Sequence, residues 1–160
     1  MNKINHLIWK GFFTLIGLAT LLVLAACSSG ENVPTLSPTE GAKLLAGTYK
    51  TTISAEDISQ FQSLDPNIAG NQGEWVIALA NDGKFTAQRD GQYTADGTFT
   101  VDGGRIEFYV KHVCDNCTCQ EDIGRYYWAL KDDQFTFTKI AGGCDTMTLV
   151  LTTHPLARQP

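Results

Sequence analysis

The strongest constraint on the fold is an alternation of apolar and polar residues with a period of two, which begins near Ala46 and runs almost to the C-terminus. It is clearest over 105–113, where Ile106, Phe108 and Val110 alternate with polar or charged residues. Such alternation is typical of a strand with one buried face and one wet face. Its breaks contain Gly, Asp and Asn, which tight turns favour. The pattern therefore predicts an all-β domain.

Eight antiparallel strands account for this pattern. We predict them, in chain order, at 47–54, 74–80, 84–90, 97–102, 105–113, 124–131, 134–141 and 146–153. Ser54 and the acids after it predict one short helix over 54–64, behind the first strand. Because most links are hairpins, strands that follow each other in sequence should be neighbours in space. We predict an eight-stranded up-and-down barrel, which leaves no exposed edge; a two-sheet sandwich would need crossovers that only the links 65–73 and 114–123 could supply.

The N-terminal 26 residues have the organisation of an export signal. Lys3 and Lys10 precede an uncharged stretch, 11–26, and the segment ends in Leu-Ala-Ala followed by Cys27. This ending resembles the bacterial lipobox, which is cut before a Cys that then carries acyl chains. We therefore predict a signal peptide at 1–26, a lipidated Cys27 with a flexible tether at 27–45, and a barrel domain at 46–160. The alternative is a retained transmembrane helix.

Length and charge limit the remaining function classes. With 160 residues the chain allows one compact domain. Its 17 Asp and Glu against 12 Lys and Arg give a net charge of −5, which argues against a protein that tracks nucleic-acid phosphates. An exported chain anchored at Cys27 would lie on the outer side of a bacterial membrane, in the cell envelope.

The four cysteines beyond Cys27 predict disulfides, since exported proteins fold under oxidising conditions. If 132–133 is a hairpin turn, Cys144 lies opposite position 121, close to Cys119 and far from Cys114. We therefore predict the pairs Cys119–Cys144 and Cys114–Cys117. The alternative readings are a zinc or copper(I) site formed by these four thiols with His112 nearby, or a redox Cys-x-x-Cys, which normally opens a helix that this sequence does not predict.

The order and spacing of several short motifs resemble lipocalin-like, calycin-type small barrels, and in particular short bacterial lipoproteins of mostly unassigned function. The matching segments cover about 45–155 and are 45–49, 81–86, 124–128, 133–137 and 153–155. The chain departs from lipocalins in having Tyr49 where they have Trp, and the Arg that packs over that aromatic has only Arg158 as a candidate. The resemblance implies a barrel that binds a small ligand.

Two interpretations of the barrel interior remain open. Eight aromatic residues at predicted inward positions could fill so small a barrel completely. Alternatively, a shallow cavity or open mouth lined by Trp75, Tyr126 and Trp128, with Tyr49 as a further candidate, could hold a small apolar or amphipathic ligand.

No motif for catalysis is present in the sequence. Ser, His and Asp do not occur in a spacing typical of nucleophilic catalysis, and no calcium-loop pattern occurs. We predict a non-enzymatic protein without a cofactor or metal. Three hypotheses remain: a tethered ligand-binding module, an envelope protein that contacts a partner through Tyr109, Tyr127 and the loop 114–123, or a metal-binding cysteine cluster.

Overall fold

The protein forms a closed barrel of eight antiparallel strands, as the sequence predicted. The computed structural model describes residues 38–63, 65–113, 119 and 122–160. Each strand pairs with the next in sequence, and the eighth pairs with the first. The strands are β1 Gly47–Ile53, β2 Gly73–Leu79, β3 Lys84–Arg89, β4 Gln92–Asp102, β5 Arg105–Val113, β6 Asp122–Lys131, β7 Gln134–Gly142 and β8 Leu156–Arg158.

The hairpins follow from the turn residues that the sequence supplies. In the turn between β6 and β7, Asp132 and Asp133 have φ values of 51° and 58°. Asp and Asn tolerate this left-handed conformation better than other non-glycine residues, and two such residues match the twist of a two-residue hairpin. This turn sets the register that pairs Lys131 with Gln134 and Leu130 with Phe135.

The prediction of an eighth strand over 146–153 is wrong, because this segment is helical. Asp145–Thr152 is an α-helix, α3, and the last strand of the barrel is the shorter β8 that follows it. Four consecutive residues of α3, 148–151, are buried. A strand with one wet face would bury alternate residues, whereas a helix enclosed on several sides buries a continuous run. A Cβ at Gly124 would lie 2.5 Å from the Met147 sulfur and 2.8 Å from the Tyr126 ring, so the absence of a side chain lets α3 pack close to β6.

Part of the segment predicted as a flexible tether is ordered and packed. Pro38–Leu45 forms α1, in which Ala42 and Leu45 are buried. A Cβ at Gly41 would lie 2.6 Å from the Val101 Cβ, so the absence of a side chain lets α1 lie directly on β4. The folded domain therefore begins at least eight residues before the predicted boundary at Ala46.

The short helix after the first strand is confirmed. It is α2, Ala55–Gln60, and Ser54 closes a capping box with Asp57 at its start. The Asp57 amide donates to the Ser54 hydroxyl at 3.1 Å, and the Asp57 carboxylate accepts from the Ser54 amide at 2.8 Å. These two bonds satisfy backbone donors that a helix start otherwise leaves exposed.

The two ends of the barrel are built differently. At one end, which we call the hairpin end, strands are joined by short turns at 80–83, 103–104 and 132–133, and α1 lies beside them. At the other, which we call the helix end, the longer links carry α2, a 3-10 helix at Ile68–Asn71, and α3. These links position the site described next.

Candidate ligand-binding cavity

A cavity of about 710 Å³ lies at the helix end of the barrel. Its wall consists of inward residues of β2, β3, β4 and β5, and its rim consists of the 3-10 helix with the residues before it, Cys119, and α3. Among the described residues, those that line it are Pro66, Asn67, Ala69, Gly70, Asn71, Trp75, Ile77, Phe85, Ala87, Arg89, Gln92, Tyr93, Thr94, Ala95, Phe108, Val110, Val113, Cys119, Thr146, Met147, Val150 and Leu151.

Small side chains in two neighbouring strands make this space. Ala87 of β3 pairs with Ala95 of β4, and both line the cavity. The register of the two strands shifts just beyond this pair, between Ala87 and Gln88. Such an irregularity bends a strand and increases its twist. At this level of the barrel the wall therefore carries methyl groups where other levels carry rings.

An aromatic cluster forms the floor of the cavity. The ring of Phe108 meets that of Phe85 edge-on, with centroids 5.3 Å apart. It also lies 6.1 Å from Phe137 and 6.2 Å from Tyr126, again edge-on. Edge-to-face contacts at these distances are favourable beyond the apolar area they bury. Phe85 and Phe108 line the cavity, so this packed cluster borders the open part of the barrel.

Trp75 is the one predicted ligand-binding residue that lines this cavity. Its indole nitrogen donates to the backbone oxygen of Asn71 at 2.9 Å, which fixes the ring against the wall. Its side chain is buried. The hydrogen bond joins the wall strand β2 to the 3-10 helix at the rim, so a single side chain ties the two parts of the site together.

The other three predicted residues lie elsewhere. Tyr49 is buried at the hairpin end, where its hydroxyl donates to the Leu45 oxygen at 2.8 Å. Trp128 stacks on Phe135 with centroids 5.8 Å apart, and its indole nitrogen donates to the Gly103 oxygen at 3.1 Å. The predicted grouping of Trp75 with Trp128 is therefore corrected, because the two rings belong to opposite ends of the barrel.

Tyr126 contacts the ring of Phe108 and does not line the cavity. Its side chain is fully buried, and this burial raises the pKa of the Tyr126 hydroxyl to about 12. The nearby Thr148 hydroxyl opposes part of this rise, although its geometry with the Tyr126 oxygen falls short of a hydrogen bond. Neither hydroxyl has a hydrogen-bond partner among the described residues.

Arg89 is the residue of the site that the sequence interpretation missed. It is half-buried at the end of β3, and its guanidinium carbon lies 6.0 Å from the centre of the Trp75 ring. The signal was available in the alternation, because Phe85 and Ala87 point inward and Arg89 continues the same face. The predicted strand 84–90 included it, but a charged residue at its end was assigned no role.

The predicted disulfide between Cys119 and Cys144 is confirmed, with Cα atoms 5.6 Å apart. Cys119 lines the cavity, and Cys144 is the N-cap of α3, accepting from the Met147 amide at 3.4 Å. The bond therefore attaches the link between β5 and β6 to the start of α3 at the rim. The predicted pair Cys114–Cys117 lies outside the described residues.

The disulfide bears on the metal-site alternative. Zinc and copper(I) bind thiolates, and a disulfide sulfur is not one. Two of the four cysteines of the hypothetical cluster are occupied in this way. Within 38–63, 65–113, 119 and 122–160, no group of three or more His, Cys, Asp or Glu side chains is arranged to hold a metal.

The outer face of β5 and β6 carries the residues considered for a partner contact. Tyr109 and Tyr127 are both exposed, and Ile123 lies opposite Tyr109 in the neighbouring strand. The guanidinium of Arg105 lies 5.6 Å from the Tyr127 ring centre. The loop 114–123, predicted to complete this patch, lies mostly outside the described residues.

The site for membrane attachment also lies outside the described part of the chain, since Cys27 precedes Pro38. Among the helices described from Pro38 onward, none has the length and hydrophobicity needed to cross a bilayer. A comparison of the chain with protein-family models, curated proteins and solved structures gives no match.

Proposed function

We propose that this protein is a lipid-anchored, lipocalin-like barrel of the bacterial cell envelope that binds a small apolar or amphipathic ligand at its helix end and catalyses no reaction. The cavity of about 710 Å³ is the observation that carries this proposal. Small-molecule sites in proteins occupy roughly 300 to 1,000 Å³ and are lined mainly by apolar side chains. The cavity has both properties, with Trp75, Phe85 and Met147 among its apolar residues.

The kinship with lipocalin-like barrels is supported by one further contact at the hairpin end. The guanidinium of Arg158 lies 5.9 Å from the Tyr49 ring centre, and one of its nitrogens donates to the Ala46 oxygen at 2.6 Å. This is the arrangement that the resemblance implied for the opening aromatic and a late Arg.

The proposal of a non-enzymatic role rests on the chemistry of the lining. Among the described lining residues there is no Asp, Glu, His or Lys, and the thiol chemistry of Cys119 is blocked by its disulfide. Carboxylates, His and Lys are the commonest general acids and bases, and Tyr93 is the remaining side chain of the described lining that could exchange a proton. The cavity is suited to holding a molecule rather than to moving its protons.

The test of ligand binding compares two variants that add the same ring on opposite faces of β3. Ala87→Phe puts a phenyl group into the cavity, whereas Thr86→Phe puts it on the exposed outer face. Titration with the neutral fluorescent amphiphile N-phenyl-1-naphthylamine should show saturable binding to the wild-type chain and to Thr86→Phe. Ala87→Phe should lose it while keeping a cooperative thermal transition, because the added ring enters the open cavity rather than a filled core.

Equal binding by Ala87→Phe and Thr86→Phe would contradict the assignment of the ligand to this cavity. Mass spectrometry of organic extracts from the oxidised protein, purified from an export host, would then identify any molecule retained during purification. The wild-type extract should contain a compound that is absent from the Ala87→Phe extract.

The membrane anchor has an independent test. The wild-type chain should fractionate with membranes and gain mass at Cys27, whereas Cys27→Ser should lack this added mass. A Cys27→Ser chain that still carries acyl groups would contradict the assignment of the anchor to Cys27 and would leave the cavity proposal unaffected.

A partner contact through the outer face of β5 and β6 is the second candidate function, favoured by the exposure of large apolar side chains. On this face, Tyr109, Ile123 and Tyr127 are each at least 36% exposed. Surfaces that bind proteins are enriched in exposed aromatic residues with Arg nearby. A Tyr109→Ser, Tyr127→Ser double variant should lose crosslinks to an envelope protein while keeping the binding of the fluorescent probe.

A further inference from the structure

The charge of the cavity lining is concentrated on one side chain. Of the 22 described residues that line the cavity, Arg89 is the only one with a formal charge at neutral pH. The chain as a whole is acidic, with a net charge of −5, so a cation inside the barrel is not a consequence of a basic surface. The position of this charge therefore requires an explanation of its own.

The backbone directs Arg89 inward. Along β3 the buried residues Phe85 and Ala87 alternate with exposed ones, and Arg89 occupies the next position on the buried face. It pairs in register with Trp75 on one side and with Gln92 on the other, and all three line the cavity. Its guanidinium is within cation–π range of the Trp75 ring, which holds the side chain along the wall.

Nearby carboxylates are engaged elsewhere. Asp90, the next residue in the chain, accepts from the Glu74 amide at 2.9 Å, and Glu74 itself pairs with Lys50 at 3.1 Å. Across the sheet, Asp96 contacts His112 at 2.7 Å. Within the described part of the chain, no carboxylate forms an ion pair with Arg89.

A half-buried guanidinium has five donors and no acceptor, and it is costly to remove from water without an anionic partner. Arg also matches the planar geometry of a carboxylate better than Lys does. A ligand with an anionic group and an apolar body would pair with the Arg89 guanidinium and pack against the apolar wall of the cavity.

We propose that the ligand is an anionic amphiphile whose carboxylate or similar headgroup binds Arg89, while its apolar body lies against Ile77, Phe85 and Met147. This inference rests on the proposed function and specifies the chemical class of its ligand. Two kinds of molecule have this anionic head and apolar chain: a free acid and an anionic membrane lipid.

The test uses two fluorescent probes with the same ring system, one anionic and one neutral. These are 1-anilinonaphthalene-8-sulfonate and N-phenyl-1-naphthylamine, which differ by the sulfonate alone. In the oxidised full-length chain, Arg89→Met should weaken binding of the sulfonate about tenfold to a hundredfold, as expected for loss of a charge-assisted hydrogen bond. Binding of the neutral probe should change less than about twofold.

Two further variants distinguish a specific role of the Arg89 side chain from the general effects of removing a positive charge or of misfolding. Lys84→Met removes the same charge from the same strand at the exposed hairpin end, and should leave both affinities unchanged. Arg89→Gln keeps a polar side chain and should lose the sulfonate selectively, which keeps the test valid if Arg89→Met does not fold. The N-terminal 37 residues are identical in all variants, so any probe they take up is a common background.

Competition distinguishes the two ligand sources. Decanoate should displace the sulfonate probe and decanol, with the same chain length, should not. Displacement by vesicles containing an anionic phospholipid, but not by zwitterionic vesicles, would assign the headgroup to a membrane lipid, and displacement by decanoate alone would assign it to a free acid.

Each failure has its own meaning. If both probes bind and the two Arg89 variants weaken them equally or not at all, the anionic class is overturned and the cavity proposal stands. If neither probe binds the wild-type chain, the proposed function is overturned and this inference with it.

Discussion

The hairpin end and the helix end of this barrel are made from the same strands, yet one is filled and the other is open. At the hairpin end the inward residues are large, with Phe135 packed between Tyr49 at 4.8 Å and Trp128 at 5.8 Å between ring centroids. At the helix end the facing positions are Ala87 and Ala95, and a cavity of about 710 Å³ remains.

The connections account for the rest of this difference. Tight turns bring neighbouring strands together and let α1 lie over β4, so the hairpin end closes on side chains. At the helix end, the longer links that carry the 3-10 helix and α3 line the rim of an opening. Whether such a barrel contains a cavity thus depends on a few small residues and on the length of its loops, and the hydrogen-bonded wall need not change.

Removing one aromatic ring from each end should give the largest difference in the free energy of unfolding. Phe135→Ala should lower the free energy of unfolding by about 4 kcal/mol, because it leaves a void between packed rings. Phe85→Ala should cost about 2 kcal/mol, since that ring already borders empty space and its loss mainly removes buried apolar area. Urea denaturation of both variants measures the difference, and equal losses would show that the two ends are packed alike.

The disulfide should stabilise the helix end specifically. Replacing Cys119 and Cys144 together by Ser should lower stability by about 3 kcal/mol, because the bond closes a loop with a sequence separation of 25. Hydrogen exchange should accelerate in α3 before it accelerates in Leu130 and Phe135 at the hairpin end. Uniform acceleration across both ends would contradict a local role for the bond.

A single cation should hold β8 to the start of β1 at the hairpin end. Arg158→Ala should lower stability by about 2 kcal/mol, because its hydrogen bond to the Ala46 oxygen is charge-assisted and its guanidinium covers the Tyr49 ring. Arg125→Ala, which removes a half-exposed ion pair with Glu107, should cost less than about 1 kcal/mol. Thermal melts compare the two, and a larger loss from Arg125→Ala would reverse this interpretation.

The smallest effect is a pH dependence at the start of α2. Hydrogen bonds from Ser54, together with His154 at 3.0 Å, lower the pKa of Asp57 to about 2 from an ordinary value of 3.8. A group with a lowered pKa in the folded state stabilises the protein above its unfolded pKa, and this contribution disappears as the pH falls through the folded value. The gap in melting temperature between wild type and Asp57→Asn should therefore be constant near neutral pH and close between about pH 4 and pH 2.

Glu56→Gln is the matched control, because Glu56 lies in the same helical turn and its carboxylate accepts only from Gln60 among the hydrogen bonds described for it. Glu56→Gln should leave the capping box of Ser54 and Asp57 in place. A gap for Asp57→Asn that widens as the pH falls would contradict the assigned direction of the pKa shift.

The parts of the site that sequence could predict are those that depend on neighbours in the chain. The alternation over 105–113 and the Asp132–Asp133 turn fixed β5, β6 and β7, and the same turn placed Cys144 close to Cys119. The assignment of Trp75 and Trp128 to one site had no such basis. Their rings share an inward face, but distance along the barrel axis depends on the register of every strand between them.

The sequence by itself determined the all-β architecture, the order of the first seven strands, and the Cys119–Cys144 bond, because alternation, turn residues and loop length act over a few residues. Only the tertiary structure decided that 146–153 contributes a helix, that the barrel is filled at the hairpin end, and that Arg89 faces an open interior. A fully buried apolar segment has no polar positions from which its period could be read, so sequence alone does not distinguish a helix from a strand there. A cavity exists only where side chains from distant segments do not meet.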